Sequence, residues 1–186
     1  MMTASNTRDR ILDALQDILI SDGYSAVTLE AVARHASVSK GGLLYHFPSK
    51  VAMLTGLIDR LTEMAEDEFR EAEEGGEGVV RVFLRTSLPQ STEERELYWA
   101  VIAALRSHDD LPEEAVRKVQ STFTRWGEML REAVPDPVLA EVILRAGDGL
   151  YMSAIAGMPQ PSPEMNQQMI DRLVEMADEA NAKAGR

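Results

Sequence analysis

The chain has 186 residues, of which 45% are hydrophobic and 27% charged, and it contains no cysteine. That length allows one sizeable core or a small domain beside a larger one, and the lack of thiols excludes a disulfide framework and a thiolate metal site. The net charge of −12 excludes a protein that coats nucleic acid without discrimination. No apolar run reaches the roughly 20 residues of a membrane span, and the N-terminus turns charged at Arg8 without the apolar core of a secretory signal. A soluble cytoplasmic protein with no membrane partner is expected.

Along the chain the periodicity is helical throughout. Ile11, Leu12, Leu15, Ile18 and Leu19 make an i, i+3/i+4, i+7 stripe that stops at Gly23. Thr28 is a suitable N-cap for a second helix that buries Leu29, Val32 and Ala33. The gap "ASV" leads to Ser39, another good cap, and a short third helix running to about Phe47. Pro48 breaks the pattern, and Ser49 caps a long fourth helix with Leu54, Leu57, Ile58, Leu61, Met64, Ala65 and Phe69 along one face. An acidic, glycine-rich linker, "EAEEGGEG", follows. Apolar stretches at 79–88, 97–105, 116–134, 138–155 and 165–180 come next, divided by proline-containing breaks. The expectation is an all-α protein of about nine helices.

The third helix poses a question, because "KGGLLYHF" places two glycines where each costs about 0.5–1 kcal/mol relative to alanine. On a 100° wheel Leu43 and Phe47 form a buried edge, while Gly41, Gly42 and Tyr45 face outward with Leu44 at the flank. From Ala31 to Lys50 there is no acid, only Arg34, Lys40, Lys50 and two histidines. Residues 1–50 carry five bases and five acids, so the whole −12 falls on the remainder. Two short helices joined by a tight turn, the second with a glycine-lined basic face, suit a backbone pressed into a DNA major groove. The competing reading is a loose helix at a surface corner.

The run "TLEAVARHASVSKGGLLYHFPSKVAML" resembles the N-terminal signature of the tetracycline-repressor (TetR) family of bacterial transcriptional regulators. It shares Thr28, Ala33, Val38, Ser39, Lys40, Gly41, Leu43, Tyr45, His46, Phe47, Ser49, Lys50 and Leu54. The departures are Ser37 for a common glycine, Leu44 for a frequent aromatic residue and Val51 for a frequent glutamate. The resemblance implies a DNA-binding domain over 1–50 and a regulatory domain over 51–186. It implies that Thr28, Ser39, Lys40, Tyr45, His46 and Lys50 touch double-stranded DNA, chiefly its backbone, with Gly41 and Gly42 against the groove. No Arg, Asn or Gln lies on the outward face of the third helix, so discrimination falls to Lys40, to thymine-methyl contact by Leu44 and to DNA shape.

For the later helices the resemblance implies a small-molecule cavity, for which Phe83, Tyr98, Trp99, Phe123, Trp126 and Met129 are the candidate lining, with Arg106, Arg125 and His108 as possible polar anchors. An ordinary helical core accounts for the same residues. The acidic regulatory part favours an apolar or cationic effector. "VLAEVILRAGDGLYMSAIAGM" and "MNQQMIDRLVEMADEANAK" resemble the family's last two helices, which pair with their copies in a homodimer. Leu150, Ala154, Met169, Leu173 and Met176 are the candidate interface, and packing within one chain is the alternative. "HDD" at 108–110 cannot converge on a metal from one helix face. No nucleophile–base set or phosphate loop is present, so neither cofactor nor enzyme activity is expected. The expected function is a homodimeric, ligand-responsive repressor on a palindromic operator; the alternative is a small-molecule-binding or interaction module with a vestigial DNA-binding segment.

Overall fold

The computed structural model describes residues 4–106 and 112–185. His108 and the side chain of Arg106 lie outside the described part. Among the described residues there are nine α-helices and no strand: α1 (Ala4–Asp22), α2 (Leu29–His35), α3 (Lys40–His46), α4 (Lys50–Glu74), α5 (Val79–Thr86), α6 (Thr92–Arg106), α7 (Glu113–Ala133), α8 (Pro137–Ile155) and α9 (Pro163–Ala184). A 3-10 turn, Tyr24–Ala26, follows Gly23, whose φ of 76° only glycine adopts freely. The all-α expectation holds. None of the described helices is long and apolar enough to cross a membrane.

The helix starts follow local chemistry. Thr28 and Ser39 accept from the amides of Ala31 and Gly42 at 3.1 and 3.0 Å, and Ser49 accepts from Ala52 at 3.1 Å. Asp136 and Ser162 cap α8 and α9, each followed by proline in the first turn, where no amide hydrogen is needed. Helices α6 and α7 begin five and three residues before their apolar periodicity does. Their first turns hold Glu93 and Glu94, and Glu113 and Glu114. Acids there suit the helix dipole yet carry no hydrophobic signal.

The chain divides into two compact units. The first gathers Met1–Thr62 and Glu93–Val119. Its core joins Ile11, Leu12 and Leu15 of α1, Val32 of α2, Leu43 of α3, Leu54 and Leu57 of α4 and Leu97 and Val101 of α6. Phe47, just past α3, is seated on Gly56 of α4, where an added Cβ would stand 2.6 Å from the ring. The second unit gathers Glu63–Thr92 and Gln120–Arg186. Phe69, Phe83, Trp126, Leu130, Ile143 and Leu144 fill its centre. Gly147 on α8 makes room for Phe83, and a Cβ at that position would lie 2.3 Å from the ring. Met64, expected on the apolar face of α4, is exposed while Ala65 and Phe69 are buried, because it lies at the rim of a stripe too narrow to cover it.

Candidate nucleic-acid interface

Helices α2 and α3 and the turn between them are built by packing, since seven residues are too few for an isolated helix. Val32, Ala33 and Ala36 bury one side of α2 and its turn, and Leu43 and Phe47 anchor α3. Ser37 lies in the turn at φ 53°, a left-handed conformation that glycine adopts without strain. The guanidinium of Arg10 on α1 donates to the carbonyls of Ala36 and Ser37, satisfying groups that the end of α2 leaves without partners. Arg10 carries no sequence signal for this role, which depends on α1 passing beneath the turn.

With the buried edge fixed, the outward face of α3 is determined. Tyr45 is 84% exposed and Leu44 is also exposed. An added Cβ at Gly41 would meet nothing, and one at Gly42 would meet only its own capping Ser39 Oγ, at 3.1 Å. His46 packs edge-on against Tyr45 with ring centres 5.2 Å apart. The hydroxyls of Thr28 and Ser39 use a lone pair in capping and keep their hydrogens free to donate to a phosphate.

Three side chains of the acid-free stretch, Lys40, His35 and Lys50, meet groups from outside it. Lys40 Nζ donates to Glu30 Oε1 at 2.5 Å, and His35 meets Asp17 at 3.0 Å. Lys50 Nζ lies 3.8 Å from the centre of the Tyr24 ring and 3.3 Å from its carbonyl oxygen. The hydrogen bond from Lys40, and then Glu30's own amide, hold that carboxyl below its usual range, so it is ionised at neutral pH. Glu30 sits one position before the acid-free stretch; its chain separation of ten residues from Lys40 hides the pairing. Arg34 is exposed and forms no ion pair among the described residues.

The six aromatic and sulfur-bearing residues of the later helices differ in burial and are divided between the two units. Phe83, Trp126 and Met129 lie in the core of the second unit, where Trp126 contacts Phe69 and Phe83 at ring-centre distances of 4.8 and 5.3 Å. Phe123 faces outward and meets Tyr151 edge-on at 6.0 Å. Tyr98 and Trp99 belong to the first unit, Tyr98 half-buried and Trp99 exposed. Arg125 lies over the Phe69 ring at 4.3 Å and bonds Glu66 at 2.6 Å and Glu73 at 3.4 Å, all on α4. Those carboxylates raise its pKa further. Its charge is thus already matched.

On α8 and α9 the five residues expected at a dimer interface separate. Leu150 and Ala154 are 7% and 8% exposed within the single chain. Met169 and Leu173 are half-buried, and Met176 is exposed. The exposed large apolar residues are Val138, Val142 and Met152 on α8 and, on the same side of α9 as Met169 and Leu173, Met165 and Met176.

Residues 11–57 match the family model of bacterial regulatory proteins, tetR family, and residues 77–178 match the tetracyclin repressor-like C-terminal domain. The transcriptional regulator UidR of Escherichia coli K12 is 36% identical over 72 residues, which cover 39% of this chain and 37% of that protein. The match therefore spans little more than a third of that relative's length. SrpR of Pseudomonas putida, also named a transcriptional regulator, is 27% identical over 162 residues, covering 83% of this chain and 74% of SrpR. A solved regulator from Saccharomonospora viridis in complex with choline shares the fold, with a TM-score of 0.69, 24% identity and coverage of 92% of this chain and 96% of its own.

Proposed function

The chain belongs to the tetR family of bacterial regulatory proteins, and on that premise we propose that it binds DNA sequence-specifically as a homodimeric repressor, released by a small molecule. The observation that carries the DNA reading is the outward face of α3. It combines a tyrosine 84% exposed, a glycine with open space beside it, a second glycine crowded only by its own capping Ser39, and a helix anchored from behind by Leu43 and Phe47. Such a face can approach a groove closely without displacing the core. Residues 1–50 are the DNA-binding segment and 51–186 the regulatory one, working in the bacterial cytoplasm. Two copies related by a two-fold axis would enter successive major grooves, so the operator is a palindrome. The exposed apolar residues Val138, Val142, Met152, Met165 and Met176 are the surface for the second copy.

The effector is apolar or cationic. The negative charge of the chain falls wholly outside residues 1–50, and choline, the ligand of the Saccharomonospora viridis regulator, is a cation. A ligand that favours a dimer of the wrong half-site spacing releases the operator by population shift.

Selection of bound DNA from a random pool tests this. The expected result is a palindromic site whose affinity falls steeply with salt as phosphate contacts release counterions. Thermal-shift screening then finds the effector: at 100 times its Kd a ligand stabilises the fold by about 2.7 kcal/mol, and the same compound lowers operator affinity. Exposed Trp99 is the clean probe, since Trp99→Ala removes no core residue. A parent protein that selects no DNA sequence would end this reading.

A further inference from the structure

The outward face of α3 has none of the side chains that grip a base with two hydrogen bonds, because Lys40–His46 contains no Arg, Asn or Gln. Helix α2 supplies an acceptor beside the single cation of α3. Lys40 and Glu30 are bonded at 2.5 Å, yet 56% and 61% of their side chains remain exposed. An exposed pair of this kind adds little to stability. Lys40 spends one of its three ammonium hydrogens on Glu30 and keeps two, and the carboxylate keeps unshared lone pairs.

We propose that Glu30 and Lys40 act together as one base-reading unit, with Lys40 donating to O6 and N7 of a guanine and Glu30 accepting from N4 of the paired cytosine. This rests on α3 lying in the major groove, as in the function proposed above. Within a G·C pair, guanine O6 and cytosine N4 are themselves hydrogen-bonded, so they lie about 2.9 Å apart in the major groove. A protein donor and acceptor held 2.5 Å apart meet that acceptor and donor in the complementary sense. An A·T pair also offers one acceptor beside one donor. There, however, thymine sets its methyl group on the flank where guanine has N7, and the second Lys40 hydrogen loses its partner. The pair thus distinguishes G·C, in one orientation, from the other three base pairs. Discrimination comes from two helices rather than from α3 alone.

The test uses the full chain as parent, Glu30→Ala and Lys40→Ala. Each is taken through selection from a random pool and then titrated against the parent's site and against that site with single base-pair changes. The parent is expected to require G·C at one position in each half-site, by about 10-fold or more over A·T. Glu30→Ala should still bind and lose that preference at that position alone, and Lys40→Ala should lose the same preference. Two results would overturn the proposal: Glu30→Ala keeping the parent's preference at every position, or Glu30→Ala binding all sequences more tightly with preferences unchanged, which would make Glu30 a mere repulsive charge. A parent that selects no site would instead remove the DNA-binding reading itself.

Discussion

With most of its surface in solvent, Tyr45 contributes little to the core, so its replacement separates binding from folding. Tyr45→Ala should weaken operator binding several-fold while leaving stability within about 0.5 kcal/mol, the usual range for an exposed site. Fluorescence anisotropy on the selected operator, read beside thermal unfolding, checks both halves. Gly147 is the opposite case. A methyl group there would overlap the Phe83 ring, and overpacking of a tight core costs about 1–3 kcal/mol. Gly147→Ala should lower the urea midpoint accordingly; an unchanged midpoint would mean that Phe83 has another place to go. Ser37 carries a left-handed φ of 53°, which costs a residue with a side chain roughly 1–2 kcal/mol. Glycine gives back roughly 0.5–1 kcal/mol in the unfolded chain. Ser37→Gly should therefore stabilise by up to about 1 kcal/mol.

Between elements, small polar groups do the joining. The caps Thr28 and Ser39 start helices of only seven residues, and each is expected to contribute about 1 kcal/mol. Arg81 on α5 bonds Asp171 on α9 at 2.7 Å. That bond, with a second from Gln167, lowers the Asp171 pKa. A carboxylate titrating lower in the folded state stabilises fully above its unfolded pKa, and the contribution is lost as pH falls through the folded one. Stability relative to Asp171→Asn should accordingly be greatest near neutrality and vanish in strong acid. A difference that grows on acidification would contradict the pairing. Asp148 works in the other direction, because burial raises its pKa.

At the scale of the molecule, the exposed apolar residues on α8 and α9 are the surface proposed for the second copy. Val138 alone is 71% exposed, and interfaces of obligate dimers commonly bury about 2,000 Å² or more. Val142→Asp is expected to yield a folded monomer in sedimentation at micromolar concentration. Leu150→Asp is expected to unfold the chain instead, since Leu150 is buried within it. A monomeric parent would defeat the dimer and with it the palindrome. Trp126→Ala illustrates the same distinction inside the second unit. It removes a core ring at a cost of about 3–5 kcal/mol, so a blunted ligand response in that variant would say nothing about a binding site.

The sequence by itself determined the number and type of elements, the capped starts of α2, α3 and α4, and the buried edge of α3. These rest on local chemistry: a hydroxyl three residues before the amide it accepts from, and an apolar stripe at helical period. The same periodicity told which side of α3 faces outward, because Leu43 and Phe47 left only one side free. It could not tell what the outward side chains would meet. Lys40 reads as part of a positive island until α2 brings Glu30 against it, and Lys50 reads as exposed until Tyr24 lies beneath it. Composition likewise placed the aromatic residues near one another in the chain, but packing sent Phe83 and Trp126 inward and left Phe123 and Trp99 outside. On α8 a one-residue step turns a side chain by 100°, so Gly149 faces solvent while Leu150 faces the core. Which helix face is already occupied depends on partners far away in sequence, and only the tertiary structure decides that.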